Sequence, residues 1–102
     1  MRVKTSELIG AALDWVVAKC EGYTDGAAYD GPTDLYFSTD WELAGPIIER
    51  EGIDLYQSGS WAAEVGGANR QEGRTSLVAA MRCFVASKLG DSVEIPAEFI
   101  KG

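Results

Sequence analysis

The stretch "TSLVAAMRCFVASKLG", Thr75 to Gly90, constrains the fold more than any other part of this chain. Thr75 or Ser76 supplies a helix N-cap and Gly90 a stop. Between them Leu77, Val78, Met81, Phe84, Val85 and Leu89 recur at helical spacing, with Cys83 bordering the stripe. Ala79, Ala80 and Ala86 leave room for close packing. A helix with so broad an apolar stripe is unstable until other elements cover it. The remainder of the 102 residues must be organised around it, and that length suits one core rather than two. The expectation is one domain over 1–102.

A second helix is expected from Thr5 to Glu21. Thr5 or Ser6 caps it, Glu7 favours its positive end, and Leu8, Ala12, Trp15 and Val16, with Ile9, Leu13 and Cys20, follow the helical period. Asp14 and Lys19 mark a wetter side and Gly22 a stop. Gly10 costs about 1 kcal/mol relative to alanine inside a helix, which suggests close approach by a neighbour. Residues 23–37 read as a loop. Asp25, Asp30 and Asp34 lack the spacing of a calcium loop, so they read as turn formers and no metal is expected.

"STDWELAGPIIEREGI", Ser38 to Ile53, carries the pattern of a capping box, Thr39 with Glu42. The Gly45-Pro46 pair predicts a break, with Pro46 starting a second short helix that ends at Gly52. Ile47 and Ile48 would then face inward. A hairpin follows, Ile53 to Val65 across a Ser58-Gly59 turn, with Tyr56 on its outer face. "GGANRQEGR", Gly66 to Arg74, reads as a polar connection, and "SVEIP" as a short edge strand closed by Pro96. The fold expected is α+β: two main helices packed on a small antiparallel sheet, a hairpin plus that short edge strand. Its core would hold Leu13, Val16, Ile48, Trp61, Leu77, Met81 and Val85.

Three blocks of the sequence, "KTSELIGAALDWVVAKCEG", "STDWELAGPIIEREGI" and "AAMRCFVASKLGDSVEIP", together resemble the NinX-like proteins, small accessory proteins of tailed phages and prophages of enteric bacteria. The resemblance implies a phage or prophage origin in a bacterial host. It brings no catalytic residue and no cofactor with it.

The residues themselves argue against catalysis. There is no histidine, the usual acid–base group at neutral pH, and no GxGxxG, P-loop or zinc-ligand cluster. Cys20 and Cys83 are far apart, without CxxC spacing, and Cys83 falls mid-helix, so both read as reduced structural thiols. No run of residues is long and apolar enough to cross a membrane, and the protein reads as cytoplasmic. No cofactor is expected.

A binding module remains, in two versions. Acidic residues number 16 against 9 basic, a net charge of −7, which disfavours nonspecific duplex binding and allows a protein partner from host or phage. Tyr29, Tyr36 and Trp41, with Phe37 among them, flank an acidic stretch and suit aromatic anchoring of such a partner, unless Phe37 and Trp41 complete the core. The alternative is a nucleic-acid or anion site through a local basic patch on the C-terminal helix and its approach, made of Arg70, Arg74, Arg82 and Lys88, with Arg74 close to a helix N-terminus.

Overall fold

The structure, a computed structural model, describes residues 1–22 and 35–96 and, as backbone, the short pairs 24–25 and 28–29. In chain order the elements are β1 (Arg2–Lys4), a 3₁₀ turn (Thr5–Glu7), α1 (Gly10–Cys20), β2 (Thr24–Asp25), β3 (Ala28–Tyr29), α2 (Trp41–Glu51), β4 (Ile53–Ser58), β5 (Ser60–Val65), β6 (Ala68–Gly73), α3 (Ser76–Leu89) and β7 (Ser92–Glu94). The class is α+β, but three α-helices stand where two were expected.

α3 is the centre of the molecule. Thr75 caps it, its Oγ1 accepting from the Val78 N–H at 3.1 Å. Leu77 through Met81 and Cys83 through Ala86 are all buried, so the helix is covered almost all round rather than along one stripe. The antiparallel sheet β4–β5–β6 packs against it, and α1 and α2 also pack on it. Only half-buried Arg82 interrupts the buried run, and Leu89 is exposed.

The amino-terminal helix is shorter than its periodicity suggested. Residues before Ile9 form β1 and the 3₁₀ turn instead, and Thr5 caps nothing. It is fully buried, donating from its Oγ1 to the Gly90 carbonyl at 2.7 Å and from its N–H to the Asp91 carbonyl. β1 pairs antiparallel with β7, Val3 opposite Val93, so "SVEIP" does return as a short strand, but in a separate two-stranded sheet. Gly10 begins α1 at φ +60°, and a Cβ there would meet nothing within 4 Å. The glycine serves the backbone turn, not the close approach expected of it. Asp14, expected on the wetter side, is half-buried.

α2 runs unbroken through Pro46. The proline lies one turn into the helix, so the only carbonyl it deprives of a donor is that of exposed Glu42, where water can replace it. Gly45 presents no Cβ to the proline ring. The cap is Asp40, whose Oδ1 accepts from the Glu42 N–H at 2.9 Å, and not a Thr39–Glu42 box. Gly52 ends the helix at φ +67°, as read from the sequence. A continuous helix turns Ala44 and Ile47 inward and leaves Ile48 half-buried. Trp61 is likewise at the core's margin, whereas Leu13, Val16, Leu77, Met81 and Val85 are core.

The expected hairpin is present, Ile53 opposite Val65 and Tyr56 opposite Ala62. The polar connection after it is in fact a third strand. Gly66 and Gly67, both at positive φ, make the two-residue turn that returns β6 alongside β5, with an irregularity between Ala63 and Val65. Gly73 at the end of β6 is needed for contact: a Cβ there would lie 2.6 Å from the Ala79 nitrogen and 2.8 Å from Val78 Cγ1. The sheet therefore seats directly on the first turn of α3.

Candidate functional site

Side-chain hydrogen bonds of Arg82 and Asp14 tie together the segments from which the three α-helices start. Arg82 reaches back from α3, donating from Nε to the Leu8 carbonyl and from Nη1 to the Glu72 carbonyl, each at 2.7 Å. The first bond fixes the segment leading to Ile9 and α1, and the second ties β6 to α3. On α1, Asp14 accepts from the Ser38 N–H at 2.8 Å and so fixes the turn ahead of Trp41. Burial pushes the Asp14 carboxyl above its ordinary range, with the Ser38 hydrogen bonds opposing that shift. The start of α3 is fixed locally by the Thr75 cap already described.

Between these starts lies a groove of about 430 Å³. Gly10, Trp41 and Ser76, the first residue of each α-helix, all line it, together with Ile9, Leu77 and Arg74. Trp41 is 55% exposed and Ile9 47%, large apolar surfaces left in water. Among the described residues Arg74 makes no ion pair. α1 has no side-chain cap, and neither α1 nor α3 has an acidic residue in its first turn. The groove is thus apolar-lined with Arg74 as its one charged wall residue, while Asp40 and Glu42 flank Trp41 at the start of α2.

Of the aromatic residues singled out, Phe37 is buried in the core, while Trp41 and Tyr36 are exposed to the same extent. The side chain of Tyr29 lies outside the described residues, as do those of Asp25, Asp30 and Asp34.

The basic residues separate. Arg70, Arg74 and Arg82 line one depression of about 540 Å³ next to the groove, and Arg74 belongs to both. Arg70 is on β6 and Arg74 precedes α3, so only Arg82 of this trio is helical. Arg70 is paired with Glu72 at 2.7 Å, lies 4.0 Å from Glu64, and donates to the Tyr56 hydroxyl at 3.0 Å. Tyr56 in turn donates to Glu64. Burial, and then the neighbouring Arg74, lower the pKa of the Arg82 guanidinium. Lys88 stands apart, 3.1 Å from Glu51, which also pairs with Arg50 at 2.8 Å. Arg50 extends this network to Glu21 at 2.6 Å, and both Arg50 and Lys88 sit over the Phe84 ring. Arg50 and then Lys88 hold the Glu51 carboxyl below its usual range. Lys88 therefore ties α3 to α2 and contributes nothing to the other three.

Neither cysteine is poised for nucleophilic work. Burial, and secondarily Glu64 and Asp54, push the Cys83 thiol up to about 11; burial and Glu21 do the same for Cys20. Among the described residues no group of three His, Cys, Asp or Glu side chains gathers as a metal centre requires. No described helix is long and apolar enough to cross a membrane.

Sequence reasoning treated Trp41 and Arg74 as rival sites. They line one groove, and the contribution of Ile9 was not foreseen at all. No local signal joins residues from three parts of the chain, and only packing around α3 does so. Residues 4–88 match the family model described as Bacteriophage P22, NinX. No curated protein matches the chain.

Proposed function

Because the chain belongs to the bacteriophage P22 NinX family, we propose that it is a non-enzymatic accessory protein that works in the cytoplasm of the phage's bacterial host by binding a host or phage protein. The observation carrying this reading is the exposed Trp41 on the wall of an apolar groove, beside exposed Ile9. A buried tryptophan needs no partner to explain it. One held in water by a capped, packed helix start offers the rigid aromatic area typical of binding hot spots. Tyr36 adds a second exposed aromatic close by in the chain. The lack of histidine and the raised thiol pKa values support a binding role over catalysis.

The nucleic-acid alternative rests on the depression lined by Arg70, Arg74 and Arg82. Glu72 lies within it and engages Arg70, Arg82 is spent on two carbonyls, and Lys88 is elsewhere. The net charge of −7 opposes phosphate backbones further.

The test is affinity purification of the tagged full chain from infected cells, with and without nuclease, alongside a Trp41→Ala variant checked for native circular dichroism. A specific protein that survives nuclease and is lost with Trp41→Ala is the expected result. Recovery of nucleic acid alone, sensitive to salt and to Arg74→Ala, would move the assignment to the basic depression.

A further inference from the structure

We infer that the groove takes a short segment of a partner protein in which a large apolar side chain lies next to a carboxylate, the apolar group seated on Ile9, Trp41 and Leu77 and the carboxylate on Arg74. This rests on the protein-binding reading and names the chemistry of what is bound.

The size and the charge of the groove select that occupant. A volume of about 430 Å³ is that of a small-molecule cleft, room for a few side chains rather than for a folded surface. Its walls bring together an exposed tryptophan, an exposed isoleucine and the first turn of α3, which suits an apolar anchor. Arg74 is the one polar group there with a full charge and, among the described residues, no ion pair. Its planar fork matches a carboxylate in a bidentate pair. The two guanidinium groups next to it are committed, Arg70 to Glu72 and Arg82 to backbone carbonyls, so Arg74 is the guanidinium left to pair with an incoming carboxylate. The nearby Arg82 also repels Arg74, so a counter-charge from a partner relieves a cost the free protein carries. Charge complementarity thus favours an acidic apolar segment, even though the protein as a whole is acidic.

Two pools of acetylated hexapeptide amides provide the probe. One places Leu, Ile, Phe or Trp next to Asp or Glu; the other places the same apolar residues next to Lys or Arg. Each is titrated into the ¹⁵N-labelled full chain and followed by NMR. The acidic pool is expected to shift the amides of Ile9, Gly10, Ser76 and Leu77 and the indole N–H of Trp41. The basic pool should bind about tenfold more weakly, the weight of one charge-assisted pair. Arg74→Glu, a surface change that also removes the repulsion with Arg82, should reverse that preference. Equal binding of the two pools, shifts confined elsewhere, or none at millimolar peptide would overturn the inference. So would adenosine monophosphate shifting the same resonances more strongly than the acidic pool. The same variants separate this inference from the reading beneath it. If Trp41→Ala abolishes capture of the cellular partner but Arg74→Glu does not, the inference fails and the protein-binding reading stands. If Trp41→Ala leaves capture intact, that reading itself falls.

Discussion

Arg82 is the side chain through which the site and the fold are most tightly linked, and replacing it with methionine tests that link. The change keeps the aliphatic stem and removes two N–H···O bonds of 2.7 Å, to the carbonyls of Leu8 and Glu72. Hydrogen bonds from a charged donor contribute about 1.5–3 kcal/mol each. Arg82 is half-buried, so the lower end applies to both, about 3 kcal/mol together. Against that stands relief of the burial and Arg74 repulsion that lower the Arg82 pKa, which offsets part of that sum. The expected loss is about 2 kcal/mol. With a urea m-value of about 1.5 kcal/mol/M, the unfolding midpoint should fall by about 1.3 M. The midpoint of thermal unfolding should drop by about 10 °C. Arg82→Lys retains one of the two bonds and should lose about half as much. In amide hydrogen exchange the Ile9–Gly10 segment should lose protection more than the sheet does, since Leu8 is the tethered neighbour. A loss below about 0.5 kcal/mol for Arg82→Met, or a lysine variant as stable as the parent, would refute the clamp. It would also return Arg82 to the list of available anion-binding groups.

The remaining expectations are more local. Gly73→Ala forces a methyl against the backbone of α3 and should cost about 1–3 kcal/mol, partly offset by lower unfolded-state entropy, and should shift the groove amides of Leu77 and Val78; a stability gain in urea would contradict the close approach. Met81→Ala, at a fully buried position, should cost about 2–5 kcal/mol, and a loss under about 1 kcal/mol would contradict the central place of α3. Cys83, with a thiol pushed up to about 11, should alkylate slowly at pH 8 until the protein unfolds, and rapid native labelling followed by mass spectrometry would revive a reactive thiol. Asp14 has a folded pKa raised above its ordinary 3.8, so its contribution is most favourable below that value and is lost as pH rises through the folded pKa. Asp14→Asn keeps an acceptor for the Ser38 N–H and should therefore gain stability relative to the parent across that window, measured as the difference in urea midpoints against pH; a relative loss with rising pH would reverse the sign of the burial effect.

The sequence by itself determined what depends on neighbours along the chain. The Thr75 cap, the apolar run behind it, the Gly52 stop and the Ser58-Gly59 hairpin all follow from local rules, because the groups that satisfy each other lie within a few residues. The Gly66-Gly67 turn was equally local, but "ANRQEG" lacks the alternation that marks a strand. It pairs because β5 offers it a ladder, and it tolerates polarity because it is an edge. The unbroken passage of α2 through Pro46 was decided by context, since the break was avoided where water reaches the freed carbonyl. The candidate site belongs wholly to tertiary structure. Ile9, Trp41 and Arg74 are distant in the chain, and only packing of α1 and α2 about α3, pinned by Arg82 and Asp14, puts them on one groove. Whether an arginine is free or spent is likewise invisible to composition. Arg70, Arg74, Arg82 and Lys88 carry the same charge at neutral pH, but each answers to the carboxylates and carbonyls that folding sets beside it.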